Sequence, residues 1–152
     1  MAVEIKELLS PADIIVGLRA SNKRAALQTL ARHMASTLTL SPDEVFAAIL
    51  KREELGSTGV GNGVALPHAR LNALQRPAGV LARLKHPIPF DAIDGHQVDV
   101  VALLLLPANA QGGPLNALAC AARTLRDANV LSKVRQAADR NAVYVALTAP
   151  AG

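Results

Sequence analysis

The chain has 152 residues, 51% hydrophobic and 18% charged, which supplies enough apolar material for one packed core and far too much for a disordered chain. Its 16 Lys+Arg against 12 Asp+Glu give a net charge of +4, with no basic run longer than Lys23-Arg24 or Lys51-Arg52, as in a solvated mixed-charge surface. Two Phe, one Tyr and no Trp leave almost no stacking platform for a nucleic-acid strand, and a single cysteine excludes an internal disulfide and a Cys-based zinc cluster.

In chain order, the start MAVEIKELLSP carries early acids and no long apolar stretch, so it does not read as a signal peptide. Residues 4–9 form a short amphipathic turn closed by Ser10-Pro11. From Ser21, read as an N-cap, apolar residues fall at Ala26, Leu27, Leu30, Ala31, Met34, Ala35 and Leu38, the i, i+3, i+4 steps of a helix with one buried face. A second helix starts at Ser41, with Pro42 in its first turn and Glu44 placed for a capping box, carries Val45, Phe46, Ile49 and Leu50, and stops at Gly56. Strands are predicted at Val64-Ala65-Leu66, Val80 to Leu84 and Val98 to Leu106, the last apolar on both faces beyond Asp99. A helix over 114–126 with Pro114 first, a short helix from Val130 to Ala138 and a strand from Val143 to Leu147 complete the chain. The longest apolar run, Val100 to Pro107, is too short to cross a bilayer. These elements predict an α/β fold, a single domain over 1–152 with a central sheet and helices on both faces. The expectation is a cytoplasmic protein with no membrane insertion and no nucleic-acid partner.

The unusual stretch runs from Arg52 through Glu-Glu-Leu-Gly-Ser-Thr-Gly-Val-Gly-Asn-Gly-Val-Ala-Leu-Pro-His68. Its glycines allow backbone N–H groups to approach an anion, although a plain glycine-rich turn fits equally. It is no P-loop, since no Lys-Ser/Thr follows, and no dinucleotide fingerprint, since Pro67 blocks an immediate helix. His68 follows Pro67 at a predicted strand end, where binding crevices form. Its imidazole there is a candidate base, metal ligand or nucleophile, or simply an exposed loop histidine. Spacing leaves a Ser57–His68 hydrolase pair open, but GxSxG is absent. His33, His86 and His96 show no metal-ligand spacing, and His33 reads as solvated on its helix flank. Arg52 is either a cation complementing the helix dipole or a guanidinium reaching across the loop to an anion near His68. Cys120 reads as a small core residue.

The segment GSTGVGNGVALPHA, with Arg52-Glu53 upstream, resembles the phosphohistidine signature of enzyme IIA components of the bacterial phosphoenolpyruvate-dependent phosphotransferase system. The likeness is to the fructose/mannitol superfamily and, within it, to the nitrogen-regulatory type; ELLSPADIIVGLRASNKRAAL is also similar to that type. The resemblance implies a central mixed sheet flanked by helices and a phosphoryl group carried on His68 as tele-phosphohistidine. It further implies that Arg52 stabilises that group and that Ser57, Thr58, Gly59, Gly61, Asn62 and Gly63 wall the site. No cofactor or metal is implied. The implied donor is an HPr-like histidine phosphocarrier, and the implied readers are regulatory targets of the transporter or sensor-kinase type. A sugar-transport role that passes phosphate to a separate IIB, and a non-transferring binding module, are the competing functions. Many relatives carry a second histidine where this chain reads Pro114, so Asn109, Gln111 or Asn116 would have to supply polar support. The basic balance points to an acidic partner surface.

Overall fold

The computed structural model describes residues 3–109 and 113–149. Its strands are β1 (Ile14–Leu18), β2 (Gly59–Gly61), β3 (Val64–Ala65), β4 (His68–Leu71), β5 (Ala78–Ile88) and β6 (Val98–Pro107). Its helices are α1 (Lys23–Leu38), α2 (Pro42–Glu54), α3 (Gly113–Arg126), α4 (Ala128–Gln136) and α5 (Arg140–Thr148), with two short 3-10 turns before β1. All six strands form one mixed sheet in the order β1-β5-β6-β3-β2, with β4 following β3 along the flank of β6.

β6 is the spine of this sheet. β5 runs antiparallel on one side, while β3 and β4 run parallel on the other, Val64 opposite Val100 and His68 opposite Leu104. Its alternation sorts the two cores. Val100, Ala102, Leu104 and Leu106 pack against α3, α4 and α5, whereas Val101, Leu103 and Leu105 pack against α1 and α2. Leu103 and Leu105 are fully buried, each contributing about 2–3 kcal/mol by the usual side-chain burial scale. A strand covered on both faces must be apolar on both, and the run Val100 to Leu106 meets that demand.

The helix starts follow local chemistry. Ser41 Oγ accepts from Glu44 N at 3.4 Å, with Pro42 in the first turn, which is the Ser41 half of the predicted capping box; among the described residues the Glu44 carboxylate does not return the bond to Ser41 N. For α1 the cap is Asn22, not Ser21: its side chain accepts from Ala25 N at 2.8 Å, so the helix begins at Lys23.

Three further expectations change. The run Val143 to Leu147 is the core of helix α5, not a strand. Asp139 caps it by accepting from Ala142 N at 2.9 Å, and its buried residues Val143, Ala146 and Leu147 keep i, i+3, i+4 spacing. The helix expected at Val130 to Ala138 is α4 and starts earlier, because Asp127 accepts from Asn129 N and Val130 N. The third change bears on the site. β1, β2 and β4 were not expected, and β4 places His68 at the start of a strand instead of in a free loop.

What positions the site is the path from β3 to β4. Pro67 breaks the strand, yet its carbonyl still accepts from Leu104 N at 2.9 Å, so the segment stays fastened to β6. α2 then packs across β4, and its C-terminal end reaches the strand carrying His68.

Candidate functional site

Ala48, Lys51 and Arg52 of α2 and its C-cap Leu55 follow i, i+3, i+4, i+7 spacing and so share one stripe. Together with His68, Ala69 and Arg70 of β4 they line an open cleft of about 390 Å3. Leu55 is 82% exposed at its edge. A larger cleft of about 590 Å3, between the N-terminal turns and Arg76 to Ala78, contains none of the predicted site residues. The chemistry is assigned to the smaller one because His68 lines it together with three cationic residues, Lys51, Arg52 and Arg70.

The half-buried His68 ring is held by its own backbone: Nδ1 lies 2.9 Å from the carbonyl oxygen of Leu66. A carbonyl oxygen only accepts, so Nδ1 carries the proton and donates. In the neutral ring, Nε2 then keeps its lone pair. Leu66 is itself fixed, since its N–H donates to the Thr58 carbonyl at 2.9 Å. Arg52 Nη1 donates to the Gly56 carbonyl at 3.0 Å, which closes the end of α2, and the residue also lines the His68 cleft.

The hydroxyls of the glycine-rich segment are engaged elsewhere. Ser57 Oγ donates to Phe90 O at 2.6 Å and accepts from Gly59 N at 3.1 Å. Thr58 is buried, its Oγ1 donating to Glu53 Oε1 and its N–H reaching Glu53 Oε2 at 3.4 Å. Gly59 is required by close approach, because a Cβ there would lie 2.7 Å from Ala92 Cβ.

Gly61, the last residue of β2, and Asn62 and Gly63, the turn joining β2 to β3, are not brought to His68. They take positive φ, 100°, 57° and 78°. The turn is anchored by Asp94, which accepts from Asn62 N at 3.3 Å, and by Arg135, which donates to Asn62 O and pairs with Asp99 at 2.8 Å. Asp94 is held below the usual carboxylate range by the backbone N–H of His96 and, more weakly, by that of Asn62. Gly61 and Asn62 line a separate small cleft with Ala122, Leu125 and Arg126 of α3. The β3 and β4 registers place Val64 and His68 four residues apart along β6, about 13 Å at the usual strand rise.

Of the other histidines, His33 is not simply solvated: its Nε2 lies 3.0 Å from Asp13 Oδ1, tying α1 to the turn before β1. His96 stands beside Asp94, and neither it nor His86 lines the cleft. Asn109 and Asn116 are exposed, while Gln111 and the side chain of Pro114 lie outside the described residues. Sequence reasoning missed Lys51 and Arg70, the remaining cations of the cleft, and Glu53, which holds Thr58. The helical repeat from Arg52 back to Ala48 was the available signal for Lys51.

A family model described as "Phosphoenolpyruvate-dependent sugar phosphotransferase system, EIIA 2" matches residues 7–149. The chain belongs to this family. Among curated relatives, the nitrogen regulatory protein of Bradyrhizobium diazoefficiens is 42% identical over 146 residues, 96% of this chain and 95% of that protein. The nitrogen regulatory protein of Escherichia coli K12 is 40% identical over 128 residues, 84% and 78% of the two chains. The solved nitrogen regulatory protein IIA-Ntr from Neisseria meningitidis matches with a TM-score of 0.89 at 30% identity, covering 95% of this chain and 99% of that one. The E. coli IIA mannitol structure matches with a TM-score of 0.77 at 20% identity over 91% and 98%, a likeness of fold alone. Within the EIIA 2 family the chain therefore groups with the nitrogen-regulatory type. Among its described residues, no helix is long and apolar enough to cross a membrane.

Proposed function

We propose that this EIIA 2 protein is a phosphocarrier that accepts a phosphoryl group on His68 Nε2 from an HPr-like histidine phosphocarrier. The observation that carries the reading is the Nδ1–Leu66 carbonyl contact at 2.9 Å, which reserves Nε2 as the nucleophile in a cleft shared with Arg52. In the transfer, the Nε2 lone pair forms a new N–P bond as the donor's N–P bond breaks, and that electron pair returns to the donor ring. The His68 ring gains positive charge, and the Leu66 carbonyl opposite Nδ1–H stabilises it. Such a transfer needs positioning and charge neutralisation above all, and Lys51, Arg52 and Arg70 supply positive charge around the acceptor.

The kinship with nitrogen regulatory proteins favours a regulatory output over sugar delivery, read by targets of the transporter or sensor-kinase type in the cytoplasm. A rim of three cations and the net charge of +4 favour partners with an acidic face. The test is intact mass after incubation with phosphoenolpyruvate, enzyme I and a histidine phosphocarrier. Wild type should gain one acid-labile, alkali-stable phosphoryl group and a folded His68→Ala variant none. Equal uptake by that variant refutes the assignment.

A further inference from the structure

We propose that Glu53 is a positioning residue for His68, acting through Thr58 and Leu66 to hold the ring in its Nδ1–H form. The inference rests on the reading that His68 takes the phosphoryl group, but its structural half is independently testable.

The relay is short. Glu53 is the neighbour of Arg52 near the end of α2, yet its side chain is only 5% exposed, whereas Arg52 opens to the cleft. Its two carboxylate oxygens take both donors of one residue, Oε1 the Thr58 hydroxyl and Oε2 the Thr58 N–H. Thr58 is itself 5% exposed, the polar residue in the buried class among the described residues. With both donors engaged, the Thr58 carbonyl is fixed where it accepts from Leu66 N, and the Leu66 carbonyl is in turn the acceptor for His68 Nδ1, both at 2.9 Å. Lys23, at the start of α1, closes the other side: its Nζ lies 2.7 Å from Glu53 Oε2 and 4.8 Å from the centre of the Phe90 ring. Phe90 O takes the Ser57 hydroxyl. One carboxylate thus ties two helix ends to the segment that presents the acceptor ring.

This arrangement matters because the tautomer decides which nitrogen is nucleophilic. A free imidazole distributes its proton over both nitrogens, and a ring protonated at Nε2 has no lone pair there to attack phosphorus. A displaced Leu66 carbonyl would release Nδ1–H and reduce the competent fraction. Neither Glu53 nor Thr58 lines the His68 cleft, so each is a positioning residue and not a catalytic one.

The experiment measures the His68 ring nitrogens by 15N NMR and phosphoryl uptake by time-resolved mass, for wild type, Glu53→Ala, Glu53→Gln, Thr58→Val and Thr58→Ser. In wild type the neutral ring should show a protonated Nδ1 and a bare Nε2. Glu53→Ala and Thr58→Val should move both nitrogen shifts toward a mixture of tautomers and slow uptake by about 2- to 10-fold, since a mixture keeps part of the ring in the competent Nδ1–H form. Thr58→Ser keeps the hydroxyl and should restore both readouts. Glu53→Gln should give an intermediate effect, and Lys23 retains Asp91 at 3.7 Å as an alternative partner in it. If Glu53→Ala does not fold, Glu53→Gln and Thr58→Val carry the test. Ring shifts that stay wild type in folded variants overturn the proposal, even where uptake slows. A wild-type ring that is Nδ1–H and responds to the substitutions, in a protein that active donors fail to phosphorylate, would instead overturn the phosphocarrier reading and leave the positioning role standing.

Discussion

Replacing Arg52 by alanine separates its two roles, because they differ in size. On the structural side, the variant loses one hydrogen bond to the Gly56 carbonyl and one cation at the end of α2. Both are open to water, so together they are worth about 0.5–1 kcal/mol. For a chain of this length that lowers Tm by about 1–4 °C. On the chemical side, a guanidinium facing the charge of a transferring phosphoryl group is comparable to one donor of an oxyanion hole, about 3–4 kcal/mol, or roughly 100- to 1,000-fold in rate. The assay is the second-order rate of phosphoryl uptake from a phosphorylated carrier, followed by intact mass and paired with a thermal melt. Arg52→Ala should lose about two to three decades in rate with a small change in Tm. Arg52→Lys should recover part of the rate, because it keeps the charge and loses the planar fork. Uptake within about twofold of wild type, beside a lowered Tm, would reduce Arg52 to a helix-end cation and refute the argument.

Three further outcomes are expected. Gly63 has φ +78° and a Cβ there would lie 2.6 Å from Arg135 Nη2 and 2.9 Å from Asp99 Oδ1, so Gly63→Ala should cost about 2–3 kcal/mol. A chemical denaturation series reads that loss, and a folded variant should still take up phosphoryl groups at the wild-type rate; a large rate loss would return the turn to the site. Lys51→Glu combined with Arg70→Glu should weaken the salt dependence of uptake from an acidic-faced donor and slow it about tenfold at low salt; a rate indifferent to both charge reversals would remove the rim from docking. Burial pushes the Cys120 thiol up, with Arg123 opposing weakly, so its thiolate is scarce at pH 8. Native protein should therefore react with iodoacetamide at under about a tenth of the unfolded rate, and equal rates would contradict the packing of α3.

The parts of the fold legible in sequence were those whose signal is local or long. The run Val98 to Leu106 announced a doubly covered strand, and Ser41-Pro42 marked the start of α2. Val143 to Leu147 misled because five apolar residues fit a buried strand and a buried helix equally; Asp139, four residues upstream, was the missed arbiter. β4 was invisible since Pro67-His-Ala-Arg has no strand pattern of its own, and its extended form comes from pairing with β6. The same gap explains the site. Arg52 and His68 stood out through their residue types and the family likeness. The destinations of Ser57, Thr58 and Asn62, by contrast, depend on Phe90, Glu53 and Arg135, partners as far as 73 positions away along the chain.

That division also explains why an open cleft suits the proposed relay. A protein donor must bring its own phosphohistidine to within bonding distance, so the acceptor has to stand at an edge. The sheet provides one, because β2 flanks β3 but not β4. An acceptor at an edge is loosely oriented, and the backbone carbonyl of Leu66 supplies the orientation that enclosing walls supply elsewhere. In the proposed relay, the surrounding charge would give phosphorylation its consequence. Lys51, Arg52 and Arg70 present about three positive charges at the unmodified cleft. A phosphoryl group on Nε2 would add about −1.5 to −2 units of charge among them, and most of the local field would vanish without any change in fold. Two states that differ in electrostatics on a fixed scaffold are what a partner with an acidic face can tell apart.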